Sequence, residues 1–431
     1  MSIKSKIVDY ILDKVFESLN DRIPKELRSV KQRKINKFYS VKNSKEYKDF
    51  EYEYLKEYYG EQFFTETKYG LIPVFSLKYK FNNVTATKIR SFDKLADKSN
   101  IDFSFNVNNH KGYKKNKYYK SYNQIVGENI NSPNRPGFML DRIELNNYGE
   151  MIKFKGYIGS YAENIYSNHV LEYELYKLFK QSEKKDFKEL FKMSNIRNNM
   201  HKIVTCKEDF NNQMANSLCT GDGRNSLLSV QMLVLIKCNN NYRIEITQRS
   251  KKVSIAPGCF QLVPSGGFEI LNNDDSEYSK YELEDNYSPG CSIFREYLEE
   301  IFGNEEFDGN GSGSVNEILL KDQRIKDIEN MLDDGRAELY FLGSVMDLSF
   351  LRHELSFALV IHDEKYNENK FIGNEECKNR KFISNVTLLN FEERKDIWEN
   401  LHGPSAAMWI LFKQTECYQK LLESVKKLKI N

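Results

Sequence analysis

The stretch that most limits what this chain can become is residues 288–303, Ser-Pro-Gly-Cys-Ser-Ile-Phe-Arg-Glu-Tyr-Leu-Glu-Glu-Ile-Phe-Gly. It reads as one short helix with both ends marked. Ser288 suits the N-cap, Pro289 the first helical position, where a missing N–H costs nothing, and Gly303 the left-handed residue that closes a helix. Ile293, Phe294, Tyr297, Leu298, Ile301 and Phe302 form a broad apolar face. Glu296, Glu299 and Glu300 fall at i, i+3 and i+4 and so leave from one side, with Arg295 four residues before Glu299. Carboxylates crowded on one edge repel each other. Two readings of that edge stay open: a solvated charged face, or a seat for a divalent cation. Hard oxygen ligands on a rigid element suit Mg²⁺ or Mn²⁺.

Residues 245–250 read Glu-Ile-Thr-Gln-Arg-Ser, and residues 257–269 read Pro-Gly-Cys-Phe-Gln-Leu-Val-Pro-Ser-Gly-Gly-Phe-Glu. A strand ending in Gln-Arg-Ser, a Pro-Gly-x-aromatic turn, a Gly-Gly-x-Glu loop and an Arg-Glu-x-x-Glu-Glu helix, in this order, resemble the Nudix hydrolases. The resemblance covers roughly the last 200 residues, the usual scale of one domain. It departs from the family in three places. A long acidic insertion, residues 270–287, separates the glycines from the helix. Asn273 stands where the family places a glutamate six positions after its glycine. Gly303 closes the helix one residue late.

The resemblance implies a C-terminal α/β/α sandwich around a mixed sheet. It also implies Mg²⁺- or Mn²⁺-dependent hydrolysis of a nucleoside diphosphate linked to another moiety. Carried over residue by residue, Glu296, Glu299 and Glu300 would hold the metal, and Arg295 would orient them. Glu296 would ligate metal or act as base, so that the catalytic set is Glu296, Arg295 and Glu299. Gly266 and Gly267 would let the backbone approach the helix edge, and Glu269 and Arg249 would meet the substrate, Glu269 with an oxygen to spare for the metal. The alternative is a nucleotide-sensing regulator with little or no turnover, whose basic N-terminal region binds nucleic acid or a protein partner.

A length of 431 residues calls for two or more domains. The expected division is an N-terminal α+β domain of unknown role over 1–215 and a Nudix-like domain over 222–431, an α+β protein as a whole. The formal net charge of +2 hides an uneven spread. The first 120 residues are basic, densest at Lys31–Lys34 and Lys111–Lys120. Such a face can take nucleic acid or an acidic partner, and a solvated lysine-rich surface explains it as well. The seven cysteines contain no Cys-x-x-Cys pair, against a zinc ribbon or a disulfide framework. With charges recurring through Met1–Asn20 and no long apolar run, the expectation is a cytoplasmic protein without membrane contact. Its partner would be a nucleotide-type small molecule, and a homodimer is an open expectation.

Along the chain, the periodicity predicts helices over 3–19 and from Pro24 to Tyr39, strands between Tyr52 and Val107, and a long polar loop over 108–135. A hairpin follows over 138–145 and 151–158, with Asn-Tyr-Gly at its turn, then a helix over 168–180 and a charged helix or connector over 183–200. The polar run Cys219–Ser226 carries glycines but lacks the Gly-Lys-Ser/Thr of a phosphate loop. Strands are predicted over 227–237, 242–250 and 261–263, the last leading into a turn at Gly266–Gly267. A glycine-rich loop at 308–314 precedes a helix over 316–333. Strands over 337–348 and 355–362 then leave His353 and Glu354 in a surface loop, where an alternative base could sit. Helices over 391–401 and 403–422 close the chain.

Overall fold

Residues 229–238 are apolar almost without a break, and a strand of that kind must be covered on both faces. The computed structural model describes residues 25–80, 85–95, 118, 121–122, 136–202, 217–249, 258–271, 280–304, 314–368 and 381–428. It places this strand inside a seven-stranded sheet. In chain order the strands are β1 (Thr65–Thr67), β2 (Gly70–Ile72), β3 (Val74–Lys78), β4 (Thr85–Ala86), β5 (Pro136–Leu145), β6 (Met151–Ser160), β7 (Ser229–Cys238), β8 (Asn241–Ile244), β9 (Ile246–Gln248), β10 (Phe260–Leu262), β11 (Ser265–Gly267), β12 (Ala337–Asp347), β13 (Arg352–Ile361) and β14 (Lys381–Phe382). The main sheet runs β11-β7-β13-β12-β3, with β8 on β7 and β4 on β12. Among the described strands of this sheet only β7 and β13 pair in parallel, so the sheet is mixed. β10-β9-β14 make a three-stranded sheet, and β1–β2 and β5–β6 are hairpins.

The principal helices are α1 (Lys25–Lys42), α2 (Lys45–Tyr59), α3 (Val170–Ser182), α4 (Pro289–Glu300), α5 (Gln323–Asp333), α6 (Gly403–Lys413) and α7 (Glu416–Leu428). Alternation along β7 sorts them into layers. Val230, Met232, Val234 and Ile236 join a core with Phe294 and Tyr297 of α4 and Ile325 and Ile328 of α5. Leu233 and Leu235 join another with Ala407, Met408 and Leu411 of α6 and Leu421 of α7. Helices therefore cover both faces of a mixed sheet, an α+β protein containing an α/β/α sandwich. A third core is rich in aromatics. Tyr47, Tyr54 and Tyr59 of α2 and Leu171, Leu175 and Leu178 of α3 pack on Met346, Leu348 and Leu351 at the β12–β13 end of the sheet.

The residues expected in the first domain, 1–215, share the main sheet with those expected in the second, 222–431: Val74–Lys78 pair with Gly343–Asp347. Residues 45–59 are a helix although strands were expected from Tyr52. The aromatic β-formers there recur at helical spacing, Tyr47, Tyr54 and Tyr59 are buried together, and Ser44 caps the first turn. The predicted helix over 316–333 breaks at Asp322, whose carboxylate caps α5. The helix over 403–422 breaks between Lys413 and Glu416, and 391–401 holds only a turn at Phe391–Glu393 and a short helix, Lys395–Trp398. The strand over 242–250 divides at Glu245, after which β9 leaves the main sheet. Gly266 and Gly267 are strand, and so are His353 and Glu354, both buried. The predicted helix over 3–19, nearly all of the loop over 108–135, the tip of the acidic insertion with Asn273, and the loop 308–313 lie outside the described residues. Among the described residues no helix is long and apolar enough to cross a membrane.

Candidate functional site

The local signals of α4 act as written in the chain. Ser288 Oγ accepts from the Cys291 amide, Pro289 opens the first turn, and Gly303 takes a positive φ of 70°. The Ser288 hydroxyl also donates to Asp93 at 2.6 Å, and Gly290 lies so close to the Ile89 carbonyl that a Cβ would overlap it. The helix is thus clamped at its start by residues 89–93. Its apolar face drives it onto the sheet, which carries the charged edge into the protein instead of leaving it in water.

That edge meets β11. Gly266 lies so near Glu296 that a Cβ there would overlap the Glu296 carboxylate. The Ser265 amide donates to Glu300 Oε2 at 2.8 Å. Arg295 reaches back along the same edge. One Nη2 donates to the Gly267 carbonyl at 3.1 Å and to Glu296 Oε1 at 2.9 Å, and its Nε stands 3.9 Å from Glu299. The side chains of Arg295, Glu296 and Glu299 are only 8%, 12% and 11% exposed, so the reading as a solvated face does not hold.

Burial sets the charge state. It pushes the Glu296 carboxyl up to about 8, reinforced by Glu299 and then Glu300 and opposed by Arg295. Burial works against the Arg295 charge, but Glu296 and Glu299 more than offset this and hold its pKa above the ordinary arginine value. Glu269 adds to that field, and Gly267 allows the close approach of its side chain. Arg249 lies further out. Its Nη1 donates to Gln261 Oε1, the Gln261 amide donates to Ser265 Oγ, and Ser265 holds Glu300, so a polar chain links Arg249 to the helix edge.

Arg295, Glu296, Glu299, Glu300, Gly266, Gly267 and Glu269 are therefore gathered at one place, with Arg249 joined through Gln261 and Ser265. Ser265 and Gln261 escape a reading of the sequence, because the one acts through its backbone amide and the other only by bridging strands. His353 is not a base: its ring is fully buried in β13, bonded to Ser344 Oγ at 2.9 Å and the Leu218 carbonyl at 2.8 Å, and burial lowers its pKa to about 4. His362 sits at the strand end against Tyr242, 2.7 Å away.

Among the described residues no three His, Cys, Asp or Glu side chains converge in the way that holds a metal ion. Glu296 leans on Arg295, and Glu300 on the Ser265 amide. The donor chemistry of the edge nevertheless fits a hard divalent cation. Three carboxylates share one rigid helix beside a single arginine, and burial first, then Glu299 and Glu300, raises the proton affinity of Glu296.

No family model matches the chain, and no curated protein matches it. Among solved structures, a NUDIX hydrolase from Alicyclobacillus acidocaldarius is similar over 43% of this chain and 90% of its own length, with 13% identity and a TM-score of 0.24.

Proposed function

We propose that the α4 edge is the active site of a divalent-cation-dependent hydrolase acting on a nucleoside diphosphate linked to another moiety. The observation that carries this reading is the burial of Glu296, Glu299 and Glu300 on one helix edge against the backbone of Ser265–Gly267. Glu296, Glu299 and Glu300 would hold Mg²⁺ or Mn²⁺, with Glu269 as a further oxygen. Bound there, Mg²⁺ or Mn²⁺ would supply positive charge to the phosphoryl oxygens and lower the pKa of a water. Glu296 would be a ligand of that ion or, once ionised, the proton acceptor, burial having pushed its carboxyl up to about 8. Arg295 fixes that carboxylate, and the Ser265 amide fixes Glu300. Gly266 leaves the space that any side chain would close, and Arg249 stands ready for an anionic part of the substrate.

The test is release of a nucleoside monophosphate from ADP-ribose and from a panel of nucleoside diphosphate sugars, with Mg²⁺, by the wild type and Glu299→Gln. Turnover by the wild type that Glu299→Gln abolishes supports the assignment; equal turnover rejects it. Binding without any product would favour the sensing alternative. One observation suits that alternative: in α1, Ile35 and Phe38 are buried while Arg33, Lys34 and Lys37 are exposed, a basic face free to meet nucleic acid.

A further inference from the structure

β11 is Ser-Gly-Gly, so Ser265 carries the one side chain by which that strand can be held. Its ladder with β7 runs through the positions on either side. Met232 N–H donates to the Pro264 carbonyl and Phe268 N–H to the Leu228 carbonyl, both at 2.9 Å. Ser265 and Gly267 therefore turn their backbone groups away from β7. The charged edge of α4 takes both. The Ser265 amide donates to Glu300 Oε2 at 2.8 Å, and the Gly267 carbonyl accepts from Arg295 at 3.1 Å. A shift of β11 thus displaces two charged side chains of the edge at once.

What holds the serine is Gln261. Its side-chain amide donates to Ser265 Oγ, and its Oε1 accepts from Arg249 Nη1. A guanidinium only donates, so Arg249 decides which end of that amide is oxygen and leaves the nitrogen for Ser265. Gln261 is 2% exposed, and its own strand is pinned from two sides. It pairs with Thr247 of β9. On the other side the start of α6 grips its neighbours: the His402 amide donates to the Phe260 carbonyl at 2.8 Å, and the Leu262 amide to Ser405 Oγ at 3.3 Å. A buried amide on a strand held in this way has little freedom, and it passes that constraint to Ser265.

We propose that Gln261 is a positioning residue of the α4 edge: oriented by Arg249, it holds Ser265 and so sets where the Glu300 carboxylate stands. That Glu300 then ligates a metal ion rests on the function proposed above; its placement by Gln261 does not. Groups that orient a metal ligand from behind typically carry about ten- to a hundredfold in metal affinity. Arg249 acts on the edge through the same amide, which gives it a part in the site before any substrate arrives.

The first measurement needs no metal. Hydrogen exchange of the full chain in EDTA is followed by mass spectrometry on peptides that contain Ser265. Gln261→Met should speed exchange of the Ser265 amide about threefold or more and leave β13 unchanged. Ser265→Ala keeps the amide and loses the hydroxyl, so it should do the same. The double variant should go no further than either single one, because both break one relay. The same proteins are then titrated with Mn²⁺ by electron paramagnetic resonance, where each single variant should bind about tenfold more weakly than the wild type. Arg249→Met should also weaken Mn²⁺, although losing a cation would tighten it through charge alone, and this variant decides should Gln261→Met fail to fold. The proposal is overturned if the Ser265 amide of folded Gln261→Met exchanges as in the wild type, if β13 speeds up equally, or if the effects of Gln261→Met and Ser265→Ala add. It is also overturned if Mn²⁺ binds alike to the wild type and Gln261→Met, or more tightly to Arg249→Met. A wild type that binds no Mn²⁺ while Ser265 exchange responds as expected rejects the hydrolase assignment and upholds the placement of Glu300 by Gln261.

Discussion

Glu296 makes the charge crowding on α4 measurable without any substrate. Burial, with Glu299 beside it, pushes its carboxyl up to about 8 in the folded chain, against 4.5 for an ordinary glutamate. Between those values the folded state binds the proton and the unfolded state has lost it, so stability must fall as pH rises through that window. At about 1.4 kcal/mol for each tenfold change in proton affinity, the loss between pH 4.5 and pH 8 comes to about 4 kcal/mol. Glu296→Gln keeps an oxygen for the Arg295 guanidinium and cannot ionise. The variant should match the wild type near pH 5 and exceed it by a few kcal/mol (~2–4) at pH 8. Urea denaturation of both proteins in EDTA at pH 5, 6, 7 and 8 is the assay. Wild-type and Glu296→Gln curves that stay parallel across the series would refute the reasoning, because Glu296 would then carry no repulsion specific to the folded edge.

Gly266→Ala should leave the fold intact but push the Glu296 carboxylate aside, lowering Mg²⁺-dependent turnover by roughly a hundredfold, as a misplacement of about 1 Å can do. Gly290→Ala meets the Ile89 carbonyl instead of a movable side chain, so it should cost about 1–3 kcal/mol of stability in a urea titration. Arg352→Met strands Glu354 in the core; the single variant should lose about 3–5 kcal/mol, and adding Glu354→Gln should recover most of it. Replacing the exposed Arg33, Lys34 and Lys37 by alanine should change stability by less than about 0.5 kcal/mol and abolish any salt-dependent nucleic-acid shift, which an electrophoretic assay reads.

The parts of the molecule governed by local chemistry are legible in the chain. Ser288 and Pro289 fix the start of α4, its apolar face fixes which side is buried, and the spacing of Glu296, Glu299 and Glu300 fixes their common edge. Continuous apolar runs likewise mark β7, β12 and most of β13. What stays hidden depends on partners distant in sequence. Tyr47, Tyr54 and Tyr59 favour strands by type, and the core they share with α3 outweighs that preference over 45–59. His353 and Glu354 look like loop residues because they are polar, yet β13 continues through them, since Ser344 and Arg352 satisfy them inside the protein. Nothing in the order of residues says that the Ser265 amide will hold Glu300.

The claim beneath the proposed chemistry is that the α4 edge takes up a divalent cation, and Mn²⁺ binding followed by electron paramagnetic resonance tests it most directly. Saturable binding to the wild type, weakened about tenfold or more in Glu299→Gln and strengthened from pH 6 to pH 8 as Glu296 gives up its proton, is the expected result. Binding that is absent from the wild type, or that survives Glu299→Gln with Glu296→Gln, would contradict it.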